Sequence, residues 1–383
     1  MADRKGEVGA KPHLLHVFSN FVPTGPELRT VALIAAFGGE FRHSILSMDG
    51  RTSAAERLPS GVEVSLLPSP PRAGSLATAL RLRRLLAAER PDLVLTYNWG
   101  AFDMLLAARS AGFRRLVHHE EGFNEDEAES FKRRRVLARR LALPGAHRVI
   151  VPSRRLRSIA AGLWKVPEEK IRLIPNGIPL DRFIPGGDPE LRTRLGIPAG
   201  ATVVGTVGSL RPVKNFSRLL EACAAAGDVH LLVVGDGEER AALERRAAAP
   251  DLAGRVHFAG YQADPAPCYR AMDLFALSSD SEQMPLCLVE AMASGLPVAA
   301  TDVGDVRSML PAEQAPFLVP VNGAGTAAAL AGPVLAAPIM ALAGDPGLRH
   351  RLGLLNRRRA EDHFAFETMR DAYREVYASA LGI

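Results

Sequence analysis

The feature that most limits the fold is an alternation that runs, stops and starts again. Short apolar runs at Leu14–Phe18, Ser44–Met48, Val62–Leu66, Leu93–Tyr97, Leu116–His118 and Arg148–Val151 are separated by segments of helical period, among them Leu76–Glu89 and Ala101–Ala111. Continuous apolar runs suit strands covered on both faces, and strands separated by helices pair in parallel through βαβ crossovers. The alternation restarts at Thr202–Val207 and continues through His230–Val234, Val256–Ala259, Leu274–Leu277, Pro297–Thr301 and Phe317–Val319. Between the two series lies IPNGIPLDRFIPGGDP, residues 174–189, whose prolines and glycines suit a connector. The expectation is an α/β protein of two doubly wound, Rossmann-like domains facing across a cleft. The boundaries read as 1–175, a linker at 176–189, a second domain at 190–355 and a helical tail at 356–383 packing back toward the first domain. The Ala/Gly/Pro-rich stretch 321–345 reads as a loop feeding a helix.

A length of 383 residues suits two such cores. No apolar run approaches the roughly 20 residues of a membrane span. The opening MADRKGEVGAKP lacks the apolar stretch of a secretory signal, so a cytoplasmic location is expected. Cys223, Cys268 and Cys287 are scattered in no ligand spacing, which fits a reduced protein without a metal site. Net charge is only +5, yet residues 131–157 hold ten basic side chains and no acid. That stretch is either a solvated helix face or a cationic surface for anionic lipid at the inner face of the cell membrane, or for a phosphate-bearing acceptor. Nucleic acid is not expected as a partner, because no base-stacking rings interleave the arginines.

Chemistry concentrates in the second half. Thr202–Val207 runs into Gly208, Ser209, Arg211 and Lys214 ahead of a helical segment. A strand, a glycine turn and two cations at a helix mouth suit a phosphate, although a solvated turn has the same ingredients. Val234-Gly-Asp-Gly reads as a structural turn. Tyr261 and Gln262, after the run ending at Ala259, either border a nucleobase or simply pack a turn. In SSDSEQMPLCLVEAMASGLPVAATDVGD, Glu282 and Glu290 are separated by seven residues. Each carboxylate can accept two hydroxyl donors, as a sugar or ribose diol requires.

These motifs, in this order, resemble the retaining glycosyltransferases of family 4, which have the GT-B fold and an E-x₇-E motif. The resemblance is dense over about residues 170–310 and looser before them. It implies a nucleotide-sugar donor and a glycan or lipid-linked acceptor, with no cofactor and no metal. Glu290 would hold the ribose and Glu282 would face the donor sugar. The backbone of Met284, Pro285 and Leu286 would lie near the sugar hydroxyls or the diphosphate, and Lys214 would neutralise that diphosphate. Where the family has an arginine five residues before this lysine, the chain has Ser209, with Arg211 as a substitute. TGPE, residues 24–27, resembles the family's glycine-rich loop with Pro26 in place of its second glycine, leaving Gly25 for close backbone approach. His118 or His119 would be the functional histidine beyond the strand, with register favouring His118; without the resemblance, either reads as a satisfied strand-end residue. Glu120, Glu121 and Asp126 read as loop charges, with an acceptor-side base left open. A nucleotide-sugar epimerase or hydrolase of the same fold, or a non-catalytic glycan- or membrane-associated protein, remains an alternative.

Overall fold

The computed structural model describes residues 11–71, 75–122, 132–321 and 328–383. The chain divides into two compact units, Met1–Ile174 with Arg370–Ile383, and Pro175–Met369.

Unit 1 carries a parallel sheet of β1 (His13–Phe18), β2 (Arg42–Ser47), β3 (Val64–Leu67), β4 (Leu93–Tyr97), β5 (Leu116–His119), β6 (Arg148–Val151) and β7 (Ile171–Leu173). Their order is β3-β2-β1-β4-β5-β6-β7, so the winding reverses between β1 and β4. All six residues of β1 are buried, as a strand covered on both faces requires. Leu15, Val17 and Val94 face a core shared with Leu105, Leu116 and Trp164. The other face carries Tyr97 and His119, which stack against each other at 4.3 Å and meet Tyr373 and Tyr377 of the final helix.

Unit 2 carries β8 (Thr202–Val207), β9 (Val229–Val234), β10 (Val256–Gly260), β11 (Leu274–Leu277), β12 (Val298–Thr301) and β13 (Leu318–Val319). They are parallel in the order β10-β9-β8-β11-β12-β13, reversing between β8 and β11. One face packs Phe275 and Leu277 under Leu288, Val289 and Met292 of the helix Leu286–Ala293. The other packs Val204 and Leu231 under Leu219, Leu220 and Cys223 of the helix Phe216–Ala225.

The twelve runs expected as strands are all strands, with ends moved by at most two residues. One strand was not expected: β7 is three residues long with Arg172 at its centre, too short and too polar to announce itself. The Ala/Gly/Pro-rich stretch is a further correction, since Ala328–Gly344 is a helix over most of it. Alanine and leucine supply helix propensity there, and burial of Leu335, Ile339 and Leu342 overrides the proline signal. The Pro/Gly-rich segment 174–189 is no free connector either. Ile178 and Phe183 lie in the unit 2 core, and Ile178 bridges to Ala365. The tail divides within itself: the helix Pro346–His363 belongs to unit 2, whereas residues 370–383 belong to unit 1.

Candidate functional site

In unit 2 the site forms where the winding reverses, because neighbouring strands there send their loops in opposite directions and leave a crevice at their carboxyl ends. The turn after β8 passes through Pro212–Lys214 to Asn215, whose left-handed backbone (φ 46°) turns the chain into the helix Phe216–Ala225. Asn215 caps that helix by accepting from the Arg218 backbone N–H at 3.1 Å. Arg218 is buried and donates to the Ser278 carbonyl at 2.7 Å and to Asp280 Oδ1 at 2.6 Å, both in the loop after β11. Ser278 Oγ returns a bond to the Lys214 carbonyl at 3.0 Å. The two loops are therefore fastened together before any ligand is present.

That fastening brings Lys214 Nζ to 2.5 Å from Glu282 Oε1, with both side chains largely buried. Ser279 Oγ donates to the same carboxylate oxygen at 2.7 Å, and Thr301 Oγ1 on β12 holds the Ser279 carbonyl at 2.7 Å. A Cβ at Gly304 would stand 2.2 Å from the Glu282 carbonyl oxygen, so only glycine lets this loop settle (φ 57°). Glu282 Oε2 and the remaining ammonium N–H groups are left for other partners.

Pro285 leads into the helix Leu286–Ala293, which carries Glu290. Glu290 accepts from the Tyr269 hydroxyl at 2.6 Å. Burial pushes the Glu290 carboxyl above its ordinary range, and the Tyr269 bond together with the Arg182 charge only partly offset this. Met284 is buried in the same loop, its sulfur accepting the Asn176 N–H at 3.1 Å. Gly235 closes the neighbouring turn: its φ is +135°, and a Cβ there would lie 1.9 Å from the Gly208 carbonyl oxygen. The Val-Gly-Asp-Gly turn thus shapes the Gly208 turn by backbone contact.

Of the residues expected to cooperate, Lys214, Glu282, Met284, Pro285, Leu286 and Glu290 gather around the loops after β8 and β11. Arg211 is exposed, and its Nε donates to Ser209 Oγ at 3.1 Å. Tyr261 and Gln262 follow β10, the edge strand two places from β8; Tyr261 is exposed and Gln262 donates to the Ala259 carbonyl at 2.7 Å. Sequence reasoning missed Tyr269, Ser279, Thr301 and Arg218. Tyr269 and Arg218 act through partners far along the chain, whereas Ser279 and Thr301 lie inside the stretch 278–305 but carry no charge to single them out.

In unit 1, Gly25 opens the helix Gly25–Phe37, and a Cβ there would meet nothing within 4 Å. His118 and His119 are fully buried at the end of β5. His118 Nδ1 lies 2.8 Å from Thr96 Oγ1 and Nε2 lies 3.4 Å from Glu120. His119 Nδ1 faces the Thr96 carbonyl at 3.2 Å and Nε2 the Tyr377 hydroxyl at 3.3 Å. The reading of Glu120 and Glu121 as loop charges is corrected. Glu120 is buried against Arg139, and Glu121 against Arg29, at 3.2 and 2.7 Å. Burial would raise the Glu120 carboxyl, but its bond to His118 and the Arg139 charge hold it below the ordinary range. Asp126 lies outside the described residues.

Residues 201–335 match the family described as Glycosyl transferases group 1, and residues 23–182 match Glycosyltransferase Family 4. A GDP-mannose-dependent alpha-mannosyltransferase of Mycobacterium tuberculosis is 32% identical over 285 residues, 70% of this chain and 72% of the relative. The lipopolysaccharide core biosynthesis glycosyltransferase LpsE of Rhizobium meliloti is 32% identical over 216 residues, 56% of this chain and 59% of the relative. Anabaena HepE, solved in complex with UDP, shares the fold with a TM-score of 0.78 at 21% identity, over 96% of this chain and 100% of that one. Two parallel α/β units with these neighbours define a glycosyltransferase of the GT-B fold. More narrowly, the chain belongs to glycosyltransferase family 4.

Proposed function

We propose that this chain is a retaining transferase that moves a hexose from a nucleotide-diphosphate sugar to a glycan or lipid-linked acceptor in cell-envelope or exopolysaccharide synthesis. The observation that carries this reading is the Lys214–Glu282 contact at the crevice between β8 and β11, with Glu290 one helix turn inside. The mannosyltransferase and LpsE relatives support the donor class and the pathway class.

In this mechanism the ribose diol binds Glu290, and Glu282 accepts donor-sugar hydroxyls. The N-terminus of the helix Leu286–Ala293, at Met284, Pro285 and Leu286, faces the diphosphate with its partial positive charge. Lys214 turns from Glu282 toward the phosphate as the bond from the anomeric carbon to the phosphate oxygen breaks. The acceptor hydroxyl attacks from the face the phosphate leaves, and the departing phosphate takes its proton. Charge, atoms and configuration at the anomeric carbon are then all accounted for without a covalent intermediate on either glutamate. His118 and His119, fully buried with both ring nitrogens engaged inside unit 1, take no part in this scheme.

Positive charge from Lys214, Arg211 and the helix terminus replaces a divalent cation in this scheme. The test is NMR of the product linkage made with an α-linked donor, with and without EDTA. An α product formed at an unchanged rate in EDTA supports the reading. A β product, a magnesium requirement or release of free sugar without acceptor each overturns it.

A further inference from the structure

The basic segment 131–157 is not one surface but two populations of arginine. Arg139 is buried, paired with Glu120 and sandwiched between Trp99 and Trp164 at 5.0 and 4.9 Å. Arg135 lies over Trp99 at 5.1 Å, and Arg157 pairs with Glu168. These side chains build the fold. Arg133, Arg134 and Arg140 instead face outward from the helix Arg133–Ala142.

On the same outward face stand Leu137, 57% exposed, and Leu141, 70% exposed. They are four residues apart, so they lie one above the other as a single apolar ridge. A groove of about 300 Å³ runs beside the ridge, lined in part by Arg133, Arg140 and Leu163. Arg140 Nε donates to the Leu163 carbonyl at 2.6 Å. Arg109, from the adjoining helix Phe102–Ser110, donates to the Leu141 and Ala142 carbonyls at 2.7 and 2.6 Å. The Arg140 and Arg109 guanidiniums are thus positioned by carbonyl oxygens, which orient them without cancelling their charge. Among the described residues, none of Arg109, Arg133, Arg134 and Arg140 meets a carboxylate.

We propose that this ridge and its arginine rim dock unit 1 on an anionic lipid surface. The leucines enter the boundary between headgroups and acyl chains, and the guanidiniums fork onto lipid phosphates. An apolar ridge with a cationic rim fits that boundary, which is apolar on one side and negatively charged on the other. A second copy of the chain fits poorly, since a two-fold contact would set arginine against arginine. A free phosphate would use the guanidiniums and leave the leucines without a role. Among the described residues no helix is long and apolar enough to cross a membrane, so the contact is peripheral. The proposal extends the lipid-linked acceptor reading but does not depend on any donor-site role.

Co-flotation of the full chain with vesicles tests it, using about 30% phosphatidylglycerol in phosphatidylcholine against phosphatidylcholine alone. Binding is expected only to the anionic vesicles, falling at least roughly tenfold between 0.1 and about 0.5 M salt. Leu137→Gln/Leu141→Gln and Arg133→Gln/Arg134→Gln should each lower it about tenfold or more, while transfer to a short soluble acceptor is unchanged. Inorganic phosphate at matched ionic strength should not compete. Four results overturn the proposal: equal binding to both vesicles, no binding to either, double variants that bind normally, or a dimer seen by light scattering that the leucine variant abolishes. Because flotation needs neither donor nor acceptor, its failure leaves the transferase reading standing.

Discussion

The hydroxyl of Tyr269 lies 2.6 Å from Glu290 Oε2 and 3.1 Å from the Cys287 carbonyl oxygen, all inside unit 2. Tyr269 is fully buried, so its single proton has no water to turn to. The hydroxyl fixes the rotamer of Glu290 and occupies one carboxylate oxygen; in the proposed scheme the other oxygen receives the ribose diol.

Tyr269→Phe should therefore weaken donor binding more than it slows chemistry. Loss of a hydrogen bond to a buried carboxylate costs about 1–3 kcal/mol, so KM for the nucleotide sugar should rise roughly tenfold or more with kcat little changed. Steady-state kinetics with the donor varied checks this. A variant with normal KM and reduced kcat would place Tyr269 outside ribose recognition.

Glu290 makes a prediction about pH. Its carboxyl is raised by burial, so the folded chain keeps that proton to higher pH than the unfolded chain does. Its contribution to stability is present in acid and is lost as pH rises through the ordinary carboxylate range to the raised folded value. Glu290→Gln should then melt at or above the wild-type temperature near neutral pH while binding donor poorly. In the wild type, donor affinity should fall as pH drops through the raised value, because a protonated acid accepts fewer hydroxyl donors. Thermal melts of Glu290→Gln read the first effect and calorimetric titration of donor at several pH values the second, and a flat affinity profile would detach Glu290 from the ribose.

Lys214 and Glu282 are partners before the donor arrives and should part when it binds. Lys214→Ala should lower kcat about 10²–10³-fold, the usual cost of one group that stabilises developing charge. Glu282→Gln should also lower transfer by orders of magnitude, and circular dichroism should show the fold intact in both. The two losses should fall short of additive, because each variant also frees the other's side chain. Near-normal turnover in either variant would remove the pair from the site.

Much of this was legible in the sequence because the informative residues are close together. Glu282 and Glu290 lie on one loop and helix, and twelve strands announce themselves as apolar runs. What stayed hidden depends on distant partners. Tyr269 meets Glu290 through the packing of the short helix Ala266–Arg270, and Arg218 reaches Asp280 across two strands. Arg139 looked like one more surface cation, yet three aromatic and acidic neighbours from separate elements bury it. Charge runs record composition, whereas burial is decided by tertiary contacts.

The same limit applies to a chain of histidines that no motif marks. His16 Nε2 lies 3.0 Å from His43 Nδ1, and His16 Nδ1 lies 3.0 Å from the Tyr97 hydroxyl, which stands beside His119 in the unit 1 core. Burial is the main force depressing all three imidazoles; the charges of neighbouring histidines add to it at His16 and His43, and Arg29 adds to it at His119. His43 falls from 6.5 to about 4. A depressed imidazole binds its proton more readily in the unfolded chain, so stability is present above 6.5 and is lost as pH falls below that value. Urea unfolding should show the loss beginning near pH 6, above the range in which carboxylates titrate. His43→Gln, which keeps a hydrogen-bonding group but cannot gain that charge, should flatten the upper part of the acid limb. An acid limb beginning only below about pH 4.5 would mean that these imidazoles do not govern it.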